Sequence, residues 1–268
     1  MQTVRRPAVA GAFYPGNKQV LSSDIKTFLN AAAPSIDHTT PKAIIVPHAG
    51  YIYSGQTAAI AYACLAPMSK TIKRVILLGP VHRVPVRGLA LPGVDAFATP
   101  LGEVELDQSA IALLAGLDQV VLSPAAHAQE HSLEVQLPFL QTVLEDFKLV
   151  PLAVGDATPA EVAEVLDILW GGPETVIVVS SDLSHYLPYE LAQTVDLASI
   201  QDILSMKSSL THQQACGGTP VNGLILAGRR HHLKPKLLDL CNSGDTAGDK
   251  SRVVGYASLM FEEITDNA

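Results

Sequence analysis

With 268 residues and a formal net charge of −8, the chain can bury a full core and is too acidic for a nucleic-acid or anionic-membrane binder. Hydrophobic residues make up 48% and charged residues 16%, which excludes extended disorder and suits a sheet covered on both faces. No apolar run approaches the roughly 18 residues of a membrane span, and the stretch after Arg5-Arg6 is broken by Gly11, so a cytoplasmic protein is expected.

Three widely spaced cysteines, Cys64, Cys216 and Cys241, form no C-x-x-C pair, so neither a disulfide framework nor a zinc knuckle is indicated. We expect one domain over residues 1–268, with 33–41 as a Pro/Ser/Thr loop between elements. In chain order, residues 19–30 have helical apolar spacing, and the Val/Ile-rich run 43–47 reads as a strand ending on His48. A helix is expected over 56–65, and a second apolar strand, 74–79, leads through Pro80 and Val81 to His82. Residues 107–117 and 132–144 are helical in period, the latter preceded by Glu130-His131, and 149–154 is a strand followed by a helix over 159–170. The strand 175–180 leads through Ser181 to Asp182 and His185, and a helix follows over 189–206. Thr219 and Pro220 read as cap and first turn of a helix to residue 230, and 253–260 is a last strand. This alternation predicts an α/β fold, an αβα arrangement around a central, mostly parallel or mixed sheet.

Open α/β sheets bind ligands beyond the carboxyl ends of their strands, and here three strands deliver His48, His82 and the pair Asp182/His185. Alone, each has a plain reading: a loop histidine bonded to its own turn, or an aspartate closing an Asx-turn. Together they predict one pocket. Asp182 either orients His185 for proton transfer, ligates a metal, or closes its turn. His131 is either a pocket acid or base or part of a helix start, where Glu130 suits the macrodipole. A His127/His131 ligand pair needs one continuous helix, which Ser123-Pro124 argues against. Tyr51 and Tyr53 either line the pocket or pack as half-buried aromatics. Cys216 precedes a helix N-terminus, where a thiolate is favoured, whereas Cys64 and Cys241 read as small core residues. Without a G-x-S-x-G elbow a serine triad is disfavoured.

One ordered set of motifs is more specific than any of its parts: Arg6-Pro7-Ala8-Val9-Ala10-Gly11-Ala12-Phe13-Tyr14-Pro15, then His48, His82, Glu130-His131-Ser132, Asp182-x-x-His185 and Cys216-Gly217-Gly218. On these the chain resembles the Memo family, also called AmmeMemoRadiSam system protein B, from Arg6 to Ser258. The resemblance implies a fold similar to class III extradiol dioxygenases, where two His and a carboxylate hold non-haem Fe(II) beside open positions. It carries metal ligation to His48, His82 and Cys216, and proton transfer to His185, with Asp182 and His131 as the other catalytic candidates. Tyr53 and Phe13 are the candidates for substrate contact. A thiolate in place of the carboxylate is a departure: Fe(II) is expected first, copper as the alternative and zinc last. Val81 departs as well and narrows the entrance. The expected function is that of a metal-dependent oxidoreductase-like protein acting on a small molecule. The second reading is a peptide-binding or partner module using the same cleft, working with an AMMECR-like protein and a radical SAM enzyme.

Overall fold

A computed structural model describes residues 2–32 and 40–264, so most of the loop expected at 33–41 lies outside the described residues. The first elements are β1 (Val4–Arg5), α1 (Lys18–Ala32), β2 (Ala43–Val46), α2 (Tyr51–Ala63) and β3 (Arg74–Pro80). Then come β4 (Leu89–Leu91), β5 (Ala96–Thr99), β6 (Gly102–Glu105), α3 (Gln108–Ala112), β7 (Val120–Leu122) and α4 (Pro124–Ala128). Next are α5 (Leu137–Val143), β8 (Lys148–Val154), α6 (Pro159–Leu169), β9 (Thr175–Ser180) and β10 (His185–Leu187). The chain closes with α7 (Tyr189–Leu204), α8 (Gly218–Arg230), β11 (Leu233–Asn242) and β12 (Val253–Glu263).

A mixed sheet of nine strands runs β10-β12-β2-β9-β3-β8-β4-β7, with β11 paired antiparallel to β12 along Gly255–Glu263. Its inner strands β2, β9, β3 and β8 are mutually parallel, and β12 and β4 join them antiparallel. These inner strands are the continuous Val/Ile/Leu runs of the sequence, as a sheet buried on both faces requires. Alternation then sorts their side chains between two cores. Ile44, Val46, Val75, Leu77, Val176 and Val178 pack with α1, α2 and α5, while Ile45, Ile76, Leu78, Ile177 and Val179 pack with α6, α7 and α8. Each such side chain, fully removed from water, contributes roughly 1.5–3 kcal/mol. The result is three layers, αβα. A smaller sheet, β1-β5-β6, adds the N-terminal segment to the first core.

Two helical periods come out shortened or broken for local reasons, and α2 begins at Tyr51 and not at the expected 56. The period at 107–117 yields only the five residues of α3, capped by the Asp107 carboxylate on Ala110 N at 2.9 Å. The period at 132–144 splits into a 3-10 turn, Glu134–Gln136, and α5, where Pro138 sits in the first turn. Among the described residues no helix is long and apolar enough to cross a membrane.

Candidate metal centre

Strands β2, β9 and β3 are parallel neighbours in that order, and each delivers a functional residue two positions past its end: His48, Asp182 and His82. His131 comes from the loop before the 3-10 turn. Its neighbour Ser132 donates through Oγ to Pro80 O at 2.8 Å, fixing that loop to the end of β3. A Cβ on Gly79 would lie 2.8 Å from Ser132 Oγ, so glycine is what lets the loop close on the strand.

One ring nitrogen from each of His48, His82 and His131 falls within 4.8 Å of the others, and this cluster can hold a metal ion. Ring centroids are 5.2 Å apart for His48–His82, 5.4 Å for His48–His131 and 4.6 Å for His82–His131. His48 is buried, His131 half-buried and His82 exposed, so the cluster opens on the His82 side.

Hydrogen bonding fixes which nitrogens face the cluster. Ser180 Oγ donates its only proton to Ser132 O at 2.6 Å, so it accepts from Gln136 Nε2 at 2.9 Å and from His48 Nδ1 at 2.8 Å. His48 is therefore protonated at Nδ1, and its Nε2 lone pair is free. Burial lowers the His48 pKa to about 4 despite the Asp182 carboxylate, which keeps the ring neutral at pH 7.

Glu130 does the same for the other two rings. Its Oε1 accepts from His82 Nδ1 at 2.9 Å, from His131 N at 2.9 Å and from Ser132 N at 3.0 Å, with His131 Nδ1 at 3.2 Å. Oε2 accepts from His82 N at 2.5 Å. Burial alone would raise the Glu130 carboxyl, but the hydrogen bonds from His131 and His82 outweigh it and hold it well below the usual carboxylate range. Glu130 thus orients two imidazoles; the macrodipole reading missed this.

Cys216 Sγ lies 3.3 Å from His48 Nε2 and 3.7 Å from Asp182 O. The helix begins two residues earlier than expected, at Gly218 with Gly217 as cap, and Gly217 N donates to Ser181 Oγ at 3.0 Å. The thiolate expectation is corrected. Burial, then the Asp182 charge, push the Cys216 thiol up to about 12, and the nearby N–H and hydroxyl donors do not offset them. Without a bound cation Cys216 is a neutral thiol that can donate to the His48 Nε2 lone pair.

Asp182 Oδ1 accepts from His48 N at 2.7 Å, and its Oδ2 is 3.9 Å from His48 Nε2. His185 Nδ1 pairs with Leu183 O at 2.9 Å, and its ring meets Tyr186 edge-on; among the described residues no hydrogen bond joins Asp182 to His185. The Phe13 ring lies 4.7 Å from His131, and Tyr53 is half-buried on α2. His127 stands apart: it is buried on α4 with Nε2 2.7 Å from Ala90 O, and α4 ends before His131. Beyond His82 and Cys216 opens a cleft of about 460 Å³, with Val81, Val86 and Val154 on its apolar side and His212 at its polar edge. Val81 does line this entrance.

Sequence alone gives Cys216 as the third ligand and His131 as a catalytic candidate; in the structure it is His131 that clusters with His48 and His82, and Ser180, Gln136 and Glu130, which have no site role in the sequence reading, hold the cluster in place. A polar run Glu130-His131-Ser132 leading directly into the apolar Leu133, Val135 and Leu137 was the available signal, since buried polar groups must be partnered.

The family description Memo-like protein matches residues 5–260. The chain is 38% identical to a MEMO1 family protein of Sulfurisphaera tokodaii, over 96% of this chain and 99% of that one. It is 36% identical to a MEMO1 family protein of Metallosphaera sedula, over 97% and 99% of the two chains. For a MEMO1 family protein of Aquifex aeolicus the identity is 37%, over 96% and 99%. A solved structure of an uncharacterized protein from Escherichia coli K12 overlaps with a TM-score of 0.48 at 13% identity, over 81% of this chain and 98% of that one.

Proposed function

The chain belongs to the Memo family, and on that premise we propose that it is a metal-dependent oxidoreductase acting on a small molecule, with iron or copper held by His48, His82 and His131. Cys216 Sγ, 3.3 Å from His48 Nε2, borders this cluster without being one of its three donors. The observation that carries this reading is the convergence of three imidazoles whose Nδ1 sides are engaged by Ser180 and Glu130, leaving their other nitrogens for one cation. The donor set fits: neutral imidazoles suit iron, copper and zinc alike, and a sulfur beside them favours the softer metals over magnesium or calcium.

Bound there, iron or copper would supply a redox couple. The chain's own residues do the rest. Ser180 and Glu130 fix ring orientation and tautomer, which costs 10–100-fold in metal affinity when such partners are lost in other sites. Asp182 places negative charge beside His48, balancing a cation in a buried setting. Val81, Val86 and Val154 give a substrate an apolar wall, while Phe13 closes the His131 side.

Protein isolated and kept without oxygen is expected to carry iron or copper, and apoprotein to take up close to one equivalent of Fe(II) or Cu(I). A full equivalent of zinc with no uptake of either redox metal would contradict the redox assignment. No uptake of any of the three would contradict the site.

A further inference from the structure

The N-terminal segment from Arg5 to Tyr14 contributes no donor to the histidine cluster, yet four of its groups converge on one buried carboxylate. Glu134 accepts from Arg5 Nη1 at 2.6 Å, Ala8 N at 2.7 Å, Val9 N at 3.0 Å and the Tyr14 hydroxyl at 2.6 Å. The rest of the Arg5 guanidinium reaches further: Nε donates to His127 O at 2.9 Å and Nη2 to Glu130 O at 2.7 Å. Arg5 therefore grips the backbone of the residue whose carboxylate orients His82 and His131. The same segment also meets the His48 loop, since Phe13 O accepts from Tyr51 N at 2.8 Å, and the Phe13 ring rests against His131.

We propose that Arg5 and Glu134 are positioning residues of the metal centre. Their ion pair folds the N-terminal segment into a strap that holds the Glu130–His131 loop and the His48 loop in one fixed relation. This rests on the metal-binding reading above. Stability alone is a poor reason for the pair, because a buried ion pair is often replaceable by apolar residues of similar volume without loss. Its specific geometry is a better one. Three different acceptors are served by one planar fork, which a lysine ammonium, a single nitrogen on a flexible four-carbon stem, does not reproduce.

The test uses cobalt chloride as probe, titrated into the apo form of the full chain, with affinity and the visible d–d spectrum as readouts. Arg5→Lys is expected to weaken Co(II) binding by about 10-fold, the low end for lost outer partners of metal ligands, and to change the spectrum. Tyr14→Phe, which removes one bond to Glu134 and leaves the ion pair, is expected to fold and to shift both readouts in the same direction by less. Val165→Ala, in the core on the opposite face of the sheet, lowers stability without touching the strap and should leave affinity and spectrum at wild-type values. Wild-type binding and spectra in Arg5→Lys and Tyr14→Phe would overturn the proposal alone, as would an equal loss in Val165→Ala. A wild-type chain that takes up no cobalt would overturn the metal-binding reading and this proposal together.

Discussion

Replacing Glu130 by glutamine removes charge from the carboxylate that orients two of the three imidazoles, with almost no change in shape. In the wild-type chain four N–H groups at 2.5–3.0 Å point at its two oxygens, two of them from His82. A glutamine keeps one carbonyl oxygen, which can face the donors now on Oε1, from His82 Nδ1, His131 N, Ser132 N and, at 3.2 Å, His131 Nδ1. Its NH2 group then faces His82 N–H, donor against donor. One charge-assisted hydrogen bond is lost outright, roughly 1.5–3 kcal/mol, and those that remain weaken to neutral bonds. Because the anchors of His82 and His131 weaken and their rings lose basicity, metal affinity should fall about 10–100-fold. Anaerobic competition against a chromophoric chelator measures the affinity, and urea unfolding of the apoprotein measures the stability. A Glu130→Gln variant that binds iron or copper as tightly as wild type would refute the claim that this carboxylate organises the site.

In the metal-free protein, burial lowers both His48 and His127 from 6.5 to about 4, so the unfolded chain takes up these protons first. Stability should be complete above the unfolded value and fall as pH drops, by roughly 2 kcal/mol per histidine between pH 7 and 5; urea titrations that are flat across this range would contradict it. Cys216 should label slowly with alkylating reagents in the apoprotein at pH 7, because burial holds its thiol near 12; labelling as fast as that of a free exposed thiol would show that the helix end prevails. Gly217→Ala would set a Cβ 2.6 Å from Ser181 Cβ and 2.8 Å from Ser180 O. It should cost about 1–3 kcal/mol and displace Cys216 from His48, and a melt within 0.5 kcal/mol (about the scatter of neutral surface changes) would argue against that packing.

The inner half of the sheet was legible because β2, β3, β8 and β9 are buried on both faces and so are written as unbroken apolar runs. Strands at the periphery were not. β11 carries Lys234, Pro235, Lys236 and Asp239 and is mostly half-buried, and β7 and β4 span only three residues each, too few for a period to register. Site residues divide in the same way. His48, His82 and Asp182 could be found because each follows an apolar strand, a signal that local sequence carries. The link of Glu130 to His82 spans 48 positions and that of Arg5 to Glu134 spans 129, and nothing in either neighbourhood announces its partner. Cys216 shows the converse error. The helix end beside it was visible in sequence, whereas the burial and the Asp182 charge that decide its ionisation belong to the folded chain.

A crystal structure of the Co(II)-loaded chain, with anomalous scattering at the cobalt edge, shows whether one metal ion sits among the three histidines. A single strong peak is expected, bonded to nitrogens of His48, His82 and His131 at roughly the 2.0–2.1 Å of zinc–imidazole bonds, with Glu130 still engaged at the Nδ1 sides of His82 and His131. A peak elsewhere, or one that leaves His131 or His48 unbound, would contradict the three-histidine centre.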